Sequence, residues 1–272
     1  MNERLDSAQP SWLKIGGIGC GIIVLLAVVA AVATVSLTYR GYQRALDVRL
    51  EVDRRYGAPD TYRLPAGGAM GPDRMRRFVA IRESLLPQCA VVTETTGAFK
   101  RVDAAARESR PDVGALFGRV WQAARRMPSL GRTFGSYVTA RNQALLQHGM
   151  GLGEYTWIYV TGYFGLLGQA PARVLDGENR RKIFEDRVFP EIAKIVQRHI
   201  EDAHLTSGPW VEELARLRQD HARIPFTDGL PPDLAASFEP YRQALAAAAC
   251  PAAAELDVTV TVRRGLIGYD HQ

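Results

Sequence analysis

Apolar and polar positions follow a helical period along most of this chain, and one stretch breaks the rhythm. Residues 15–37 (IGGIGCGIIVLLAVVAAVATVSL) run for 23 positions without a charge. An apolar helix of about 20 residues can cross a bilayer because its backbone groups are satisfied within the segment. At about 1.5 Å per residue this run reaches about 35 Å, enough for a ~30 Å hydrocarbon core with some tilt. Trp12 and Tyr39 bracket it, with Lys14 and Arg40 beside them; rings and long cations of this kind favour the headgroup region. The pattern predicts a membrane-spanning helix. Ala31-Val32-Ala33 resembles a signal-peptidase site. Glu3 and Asp6 offset the basic residues ahead of the core, however, and the apolar run continues to Leu37, which favours an uncleaved signal anchor. Gly17 and Gly21 form a small-xxx-small pair, a spacing that lets two membrane helices dimerise, although glycine is common in such helices in any case.

Residues 38–56 keep helical spacing through Ala45, Val48 and Val52 with mixed charges between them, and read as a stalk. Residues 57–71 are rich in proline and glycine, a linker or a loop wrapped on the domain through Tyr62 and Leu64. From Pro72 a helical stripe (Met75, Phe78, Val79, Leu85, Leu86) runs to Pro87, and a second begins at Cys89 towards Glu108. Val113, Leu116, Phe117, Val120, Trp121 and Ala124 give the clearest amphipathic pattern, with Met127-Pro128 as its expected stop. Another helix is expected from Phe134 to Met150. Residues 154–168 (EYTWIYVTGYFGLLG) are apolar or aromatic nearly all round, which places them in a core.

Three further helices are predicted. One runs from about Arg180 to Ile200 with its true start or a kink at Pro190, one follows Pro209, and one extends from Leu234 into the alanine run before Cys250. Val258, Val260 and Val262 alternate, which is strand-like. The predicted architecture is mostly α. It comprises a tail (1–14), a transmembrane signal anchor (15–37), a stalk and loop linker (38–71) and one α-helical, bundle-like domain (72–272) with a short C-terminal strand.

Composition adds little to this. The chain has 34 basic and 29 acidic residues, a net charge of +5 and a pI near 9.2. That balance permits contact with anionic headgroups or an acidic partner. No basic cluster interleaved with aromatics, zinc finger or RNA-binding signature argues for nucleic acid. Orientation evidence is divided. Arg40, Arg44, Arg49, Arg54 and Arg55 follow the span, which by the positive-inside rule favours a cytoplasmic domain. The n-region-like tail and the cysteine pair Cys89 and Cys250 favour export to the outer side of a bacterial inner membrane, and the balance leans that way. A Cys89–Cys250 bridge would close a loop of about 160 residues and add about 3–5 kcal/mol by chain-entropy reasoning; two buried thiols are an equal alternative.

The chemistry of catalysis is not visible as a motif. There is no GxSxG, no phosphate-cradling glycine loop and no HExxH. His199 and His204 are five apart, a spacing that turns them to different sides of a helix, and His199 and His221 read as core histidines on apolar stripes. No catalytic residue, cofactor or metal set is therefore assigned. Two groups of residues invite a site. Arg141 and Asn142 fall on or beside the inner stripe of their helix, with Glu154 the nearest acidic partner in sequence, which gives either a polar pocket or an internal ion pair. Tyr155, Trp157, Tyr159 and Tyr163 either fill a core or line an apolar pocket. The expected role is a non-enzymatic, membrane-anchored binding or envelope-associated domain, with the bilayer and an unidentified protein as partners. The alternative is a hydrophobic-ligand or lipid-handling domain at the membrane surface.

Overall fold

The computed structural model describes residues 43–108, 113–169 and 184–258, with side chains over 43–98, 131–169 and 184–258. The tail, the apolar run 15–37 with Gly17 and Gly21, and residues 259–272 lie outside the described residues. Among the described residues no helix is long and apolar enough to cross a membrane, and none is in a strand.

Helix α1 covers 43–56 and lies on the domain through buried Ala45 and Val52. A 3₁₀ turn (Pro59–Thr61) follows, and the loop then wraps the domain with Met70 buried and Tyr62 and Leu64 packed on the core. Helix α2 (Pro72–Ser84) starts with proline at a first-turn position and Asp73 beside it, both suited to a positive helix end. Helix α3 (Leu86–Glu108) begins immediately after Leu85. Pro87 thus sits in the first turn of α3, where its missing N–H has no helical partner to lose.

Helix α4 (Val113–His148) is longer than expected, because its backbone continues through Met127-Pro128. A proline inside a helix costs about 3 kcal/mol. Pairing with α3 and burial of Tyr137, Ala144 and Leu145 farther along hold α4 as one element. It ends before Gly149, whose φ of +68° is a conformation glycine adopts without a Cβ penalty.

Helix α5 (Leu152–Tyr159) is buried at every position and widens into π-helical turns over Val160–Leu166. It is the centre of the domain, as an all-round apolar helix must be. The loop at Pro59 comes so close that a Cβ on Gly153 would lie 2.4 Å from the Pro59 carbonyl oxygen.

A π-helical stretch (Phe184–Val188) leads into α6 (Phe189–Asp202), with Pro190 in the first turn as its position suggested. Helix α7 (Pro209–Gln219) follows. His221 lies beyond it and is exposed, not in the core, because the apolar stripe ends at Leu217. Helices α8 (Pro232–Phe238) and α9 (Arg242–Ala247) flank a 3₁₀ turn.

The chain then reaches Cys250, which is disulfide-bonded to Cys89 in the first turns of α3, with Cα atoms 5.9 Å apart and 161 positions apart in sequence. After Pro251 the alanine-rich stretch forms α10 (Ala254–Val258). The strand expected from Asp257 is not what those residues form. Asp257 and Val258 complete a buried helical turn, since alanine, glutamate and leucine ahead of them favour helix; the remainder of the alternating stretch lies outside the described residues.

Candidate functional site

The most concentrated polar chemistry in the domain is at its centre. Arg82 lies on the inner stripe of α2, one turn after Phe78, and is 1% exposed. Its Nη1 donates to Asp257 Oδ1 at 2.6 Å, an ion pair with both side chains out of solvent. Two tyrosine hydroxyls donate to the same oxygen, Tyr137 of α4 and Tyr155 of α5, each at 2.7 Å. Arg82 Nη2 and the Tyr163 hydroxyl both donate to the Ala248 carbonyl, at 3.2 and 3.3 Å. The Tyr159 ring stands 5.2 Å from the guanidinium carbon, within cation–π range.

Tyr155, Tyr159 and Tyr163 present one face because residues four apart stack along a helix. Burial is the largest single influence and opposes the charge on Arg82, but Asp257 together with Tyr155, Tyr137 and Tyr163 outweighs it and the arginine pKa rises. Burial also raises the pKa values of Tyr137, Tyr155, Tyr159 and Tyr163, so all four stay neutral hydroxyls at ordinary pH.

Arg141 extends this group. It is 1% exposed, and its Nη1 donates to the carbonyls of Leu256 and Asp257 at 2.6 and 2.8 Å. Those carbonyls close the last turn of α10, where helix acceptors lack partners of their own. Nε and Nη2 of Arg141 both reach Asn142 Oδ1, at 3.1 and 2.9 Å. Burial pulls the Arg141 pKa below its ordinary value. Glu154, the expected partner, turns elsewhere and pairs with Arg74 Nε at 2.9 Å. Burial raises its pKa against the pull of Arg74 and Arg77. Arg141 and Asn142 thus belong with Asp257, whereas Glu154, although next to Tyr155 in sequence, pairs with Arg74 of α2.

The four aromatics singled out in 155–163 divide in the same way. The three tyrosines surround Arg82. Trp157, two residues on from Tyr155, faces away from them and stacks on Trp210 at 6.1 Å between centroids, with Phe226 edge-on at 5.7 Å. Its Nε1 is buried without a hydrogen-bond partner. Phe226 holds a φ of +61°, and its N–H donates to buried Glu213 at 2.6 Å. His199 packs on the other side of this group, 4.6 Å from Trp210, and burial lowers its pKa.

Arg82 and Asp257 are absent from the residues the sequence singles out. A signal for Arg82 exists: position 82 continues the stripe of Met75, Phe78 and Val79 at helical spacing. Asp257 carries none, because it sits in a stretch whose alternation points to a strand. As chemistry, the arrangement is a set of donors on α2, α4 and α5 converging on one carboxylate and three backbone carbonyls. It holds a carboxylate firmly, and its hydroxyls, kept protonated by burial, are poor acids. No known protein family matches the chain, nor does a curated protein or a solved structure.

Proposed function

We propose that this chain is a single-pass protein of a bacterial inner membrane. Residues 15–37 are its signal anchor, and its helical domain stands outside the cytoplasm in a binding, non-catalytic role. The Cys89–Cys250 bond carries the reading, since disulfides persist in oxidising compartments and are rare in reducing ones. Helix α1 adds support. Its described part, from residue 43, lies a few residues after the apolar run and is fixed to the domain by Ala45 and Val52, so the domain would stand close to the bilayer. The test is protease access to a C-terminal tag in spheroplasts, with cysteine pairing read on a non-reducing gel. Digestion of the tag with an oxidised pair is expected; a protected tag with free thiols overturns the reading. Gly17 and Gly21 are the contact proposed for a homodimer. Gly17→Ile with Gly21→Ile is expected to abolish crosslinking between anchors.

A second reading, hydrophobic-ligand or lipid handling, is favoured by one observation, the buried and unpartnered Nε1 of Trp157. That donor would suit the acceptor of an amphiphile lodged on the Trp157 side of α5, beside Trp210 and Phe226. Titration of the protein with lauric acid, followed by tryptophan fluorescence, tests it: an unchanged spectrum removes this reading.

A further inference from the structure

The donors and acceptors of the central cluster come from different parts of the chain. Arg82, Tyr137, Arg141, Tyr155 and Tyr163 lie on α2, α4, α5 and the π-helical turns that continue α5. Arg82 also reaches the Tyr137, Tyr155 and Tyr163 hydroxyls and Arg141 the Asn142 amide oxygen; their other acceptors lie in 248–257: the Ala248 carbonyl, the Leu256 and Asp257 carbonyls, and Asp257 Oδ1. The body supplies two buried guanidiniums, and the segment supplies one carboxylate. This segment is poor in apolar mass. From Cys250 it reads CPAAAELDV, and Ala253, Ala254 and Val258 are its buried apolar residues after the cysteine. Side chains this small contribute little burial. Beside the packing of Val258 and part-buried Leu256, the segment is held by its polar contacts and by the covalent bond from Cys250 to Cys89.

We infer that 248–258 is a displaceable internal ligand, and that the Cys89–Cys250 bond is the latch keeping it in a carboxylate-binding socket formed by Arg82, Arg141, Tyr137 and Tyr155. Exchange with a dithiol breaks the Sγ–Sγ bond, leaves thiols on Cys89 and Cys250 and converts the dithiol to its own disulfide. The segment then leaves as a unit. Water and ions reach the socket, and an aspartate-bearing peptide takes the place of Asp257. The inference deepens the binding-domain reading by naming a site and a ligand class. It does not depend on which side of the membrane the domain faces, so its failure and that of the topology experiment are distinguishable.

The test uses the full chain in nanodiscs. Amide exchange is compared between the oxidised protein and protein treated with dithiothreitol. Exchange over 250–258 is expected to rise at least ~10-fold on reduction, while 152–166 and 189–202 stay protected. Binding is then measured on the reduced Asp257→Asn chain, whose own segment lacks the carboxylate. The probe is a fluorescein-labelled peptide of the 250–258 sequence with serine at the cysteine position, and its control carries asparagine in place of the aspartate. The aspartate peptide is expected to bind at least ~10-fold more tightly. Should the Asp257→Asn chain not fold, Cys250→Ser with peptide in millimolar excess gives the same comparison. Three results overturn the inference: protection of 250–258 that survives reduction, protection lost across the whole domain together, or two peptides that bind equally or not at all.

Discussion

Replacing Asp257 by asparagine removes one charge from the interior and little else. In the oxidised protein the disulfide keeps the segment in place, so Arg82 loses its counter-ion and remains buried. The Asp257 Oδ1 position has three donors, Arg82 at 2.6 Å and Tyr137 and Tyr155 at 2.7 Å each, and a neutral amide oxygen retains part of those contacts. The opposite oxygen, Oδ2, has no hydrogen-bond partner, so the amide nitrogen that replaces it adds an unpaired buried donor. Breaking a buried pair at one end costs about 3–5 kcal/mol, because the other charge is left stranded. At about 2–4 °C per kcal/mol for a domain of this size, the melting temperature should fall by about 6–20 °C. Urea denaturation followed by circular dichroism at 222 nm measures the loss in oxidised protein. Arg82→Met with Asp257→Leu is the companion, since removing both charges recovers most of the stability or exceeds it. A loss under about 1 kcal/mol for Asp257→Asn, or a double variant no more stable than Asp257→Asn alone, would refute the idea that Arg82 depends on this one carboxylate.

Other consequences are as direct. The folded pKa values of Tyr137, Tyr155, Tyr159 and Tyr163 are raised above the ordinary 10, so the stability these hydroxyls contribute is complete below about pH 10 and is lost as pH climbs beyond it; absorbance at 295 nm should show them ionising late and together with unfolding. His199 has a folded pKa below its ordinary 6.5, so the unfolded chain binds more protons and stability falls as pH drops below about 6.5. His199→Gln should flatten that slope in melts between pH 7 and 5. Gly153→Ala would set a Cβ 2.4 Å from the Pro59 carbonyl oxygen and 2.8 Å from the Tyr62 Cβ, which should cost about 1–3 kcal/mol and loosen the wrapping loop to proteolysis.

The helical domain was legible because its signals are local. Pro72 with Asp73 and Pro190 set helix starts through their own backbone chemistry, and 154–168 announced a buried helix by having no polar face. The errors fall where a local rule met a longer-range contact. Pro128 reads as a stop, yet the same helix is held by what Tyr137 and Leu145 bury farther along. Val258 reads as the start of a strand because alternation is a weak signal over so few residues. Proline and alanines before it, and burial against α4 and α5, decide the local form. His221 continues the spacing of Leu214 and Leu217, but the helix beneath it ends at Gln219.

The central cluster was half legible for a deeper reason. Arg141 was expected to be buried and to need compensation, and both follow from its position on a stripe. Its partners were not readable, because a guanidinium accepts any convergent oxygens: Asn142 beside it and two carbonyls more than a hundred residues away serve as well as Glu154 would have. Arg82 sits in a run of charged residues (DRMRRFVAIRES), where one arginine in four turns inward, and the period of the apolar residues alone distinguishes it from Arg74, Arg76 and Arg77. Asp257 is different in kind. Nothing around it marks it as buried, and its place is set by a cysteine seven residues earlier bonded to the far side of the sequence. Sequence patterns report which face of an element is inward. They do not report which distant segment is drawn across that face, and in this domain the covalent bond at Cys250 and the carboxylate at Asp257 make that choice together.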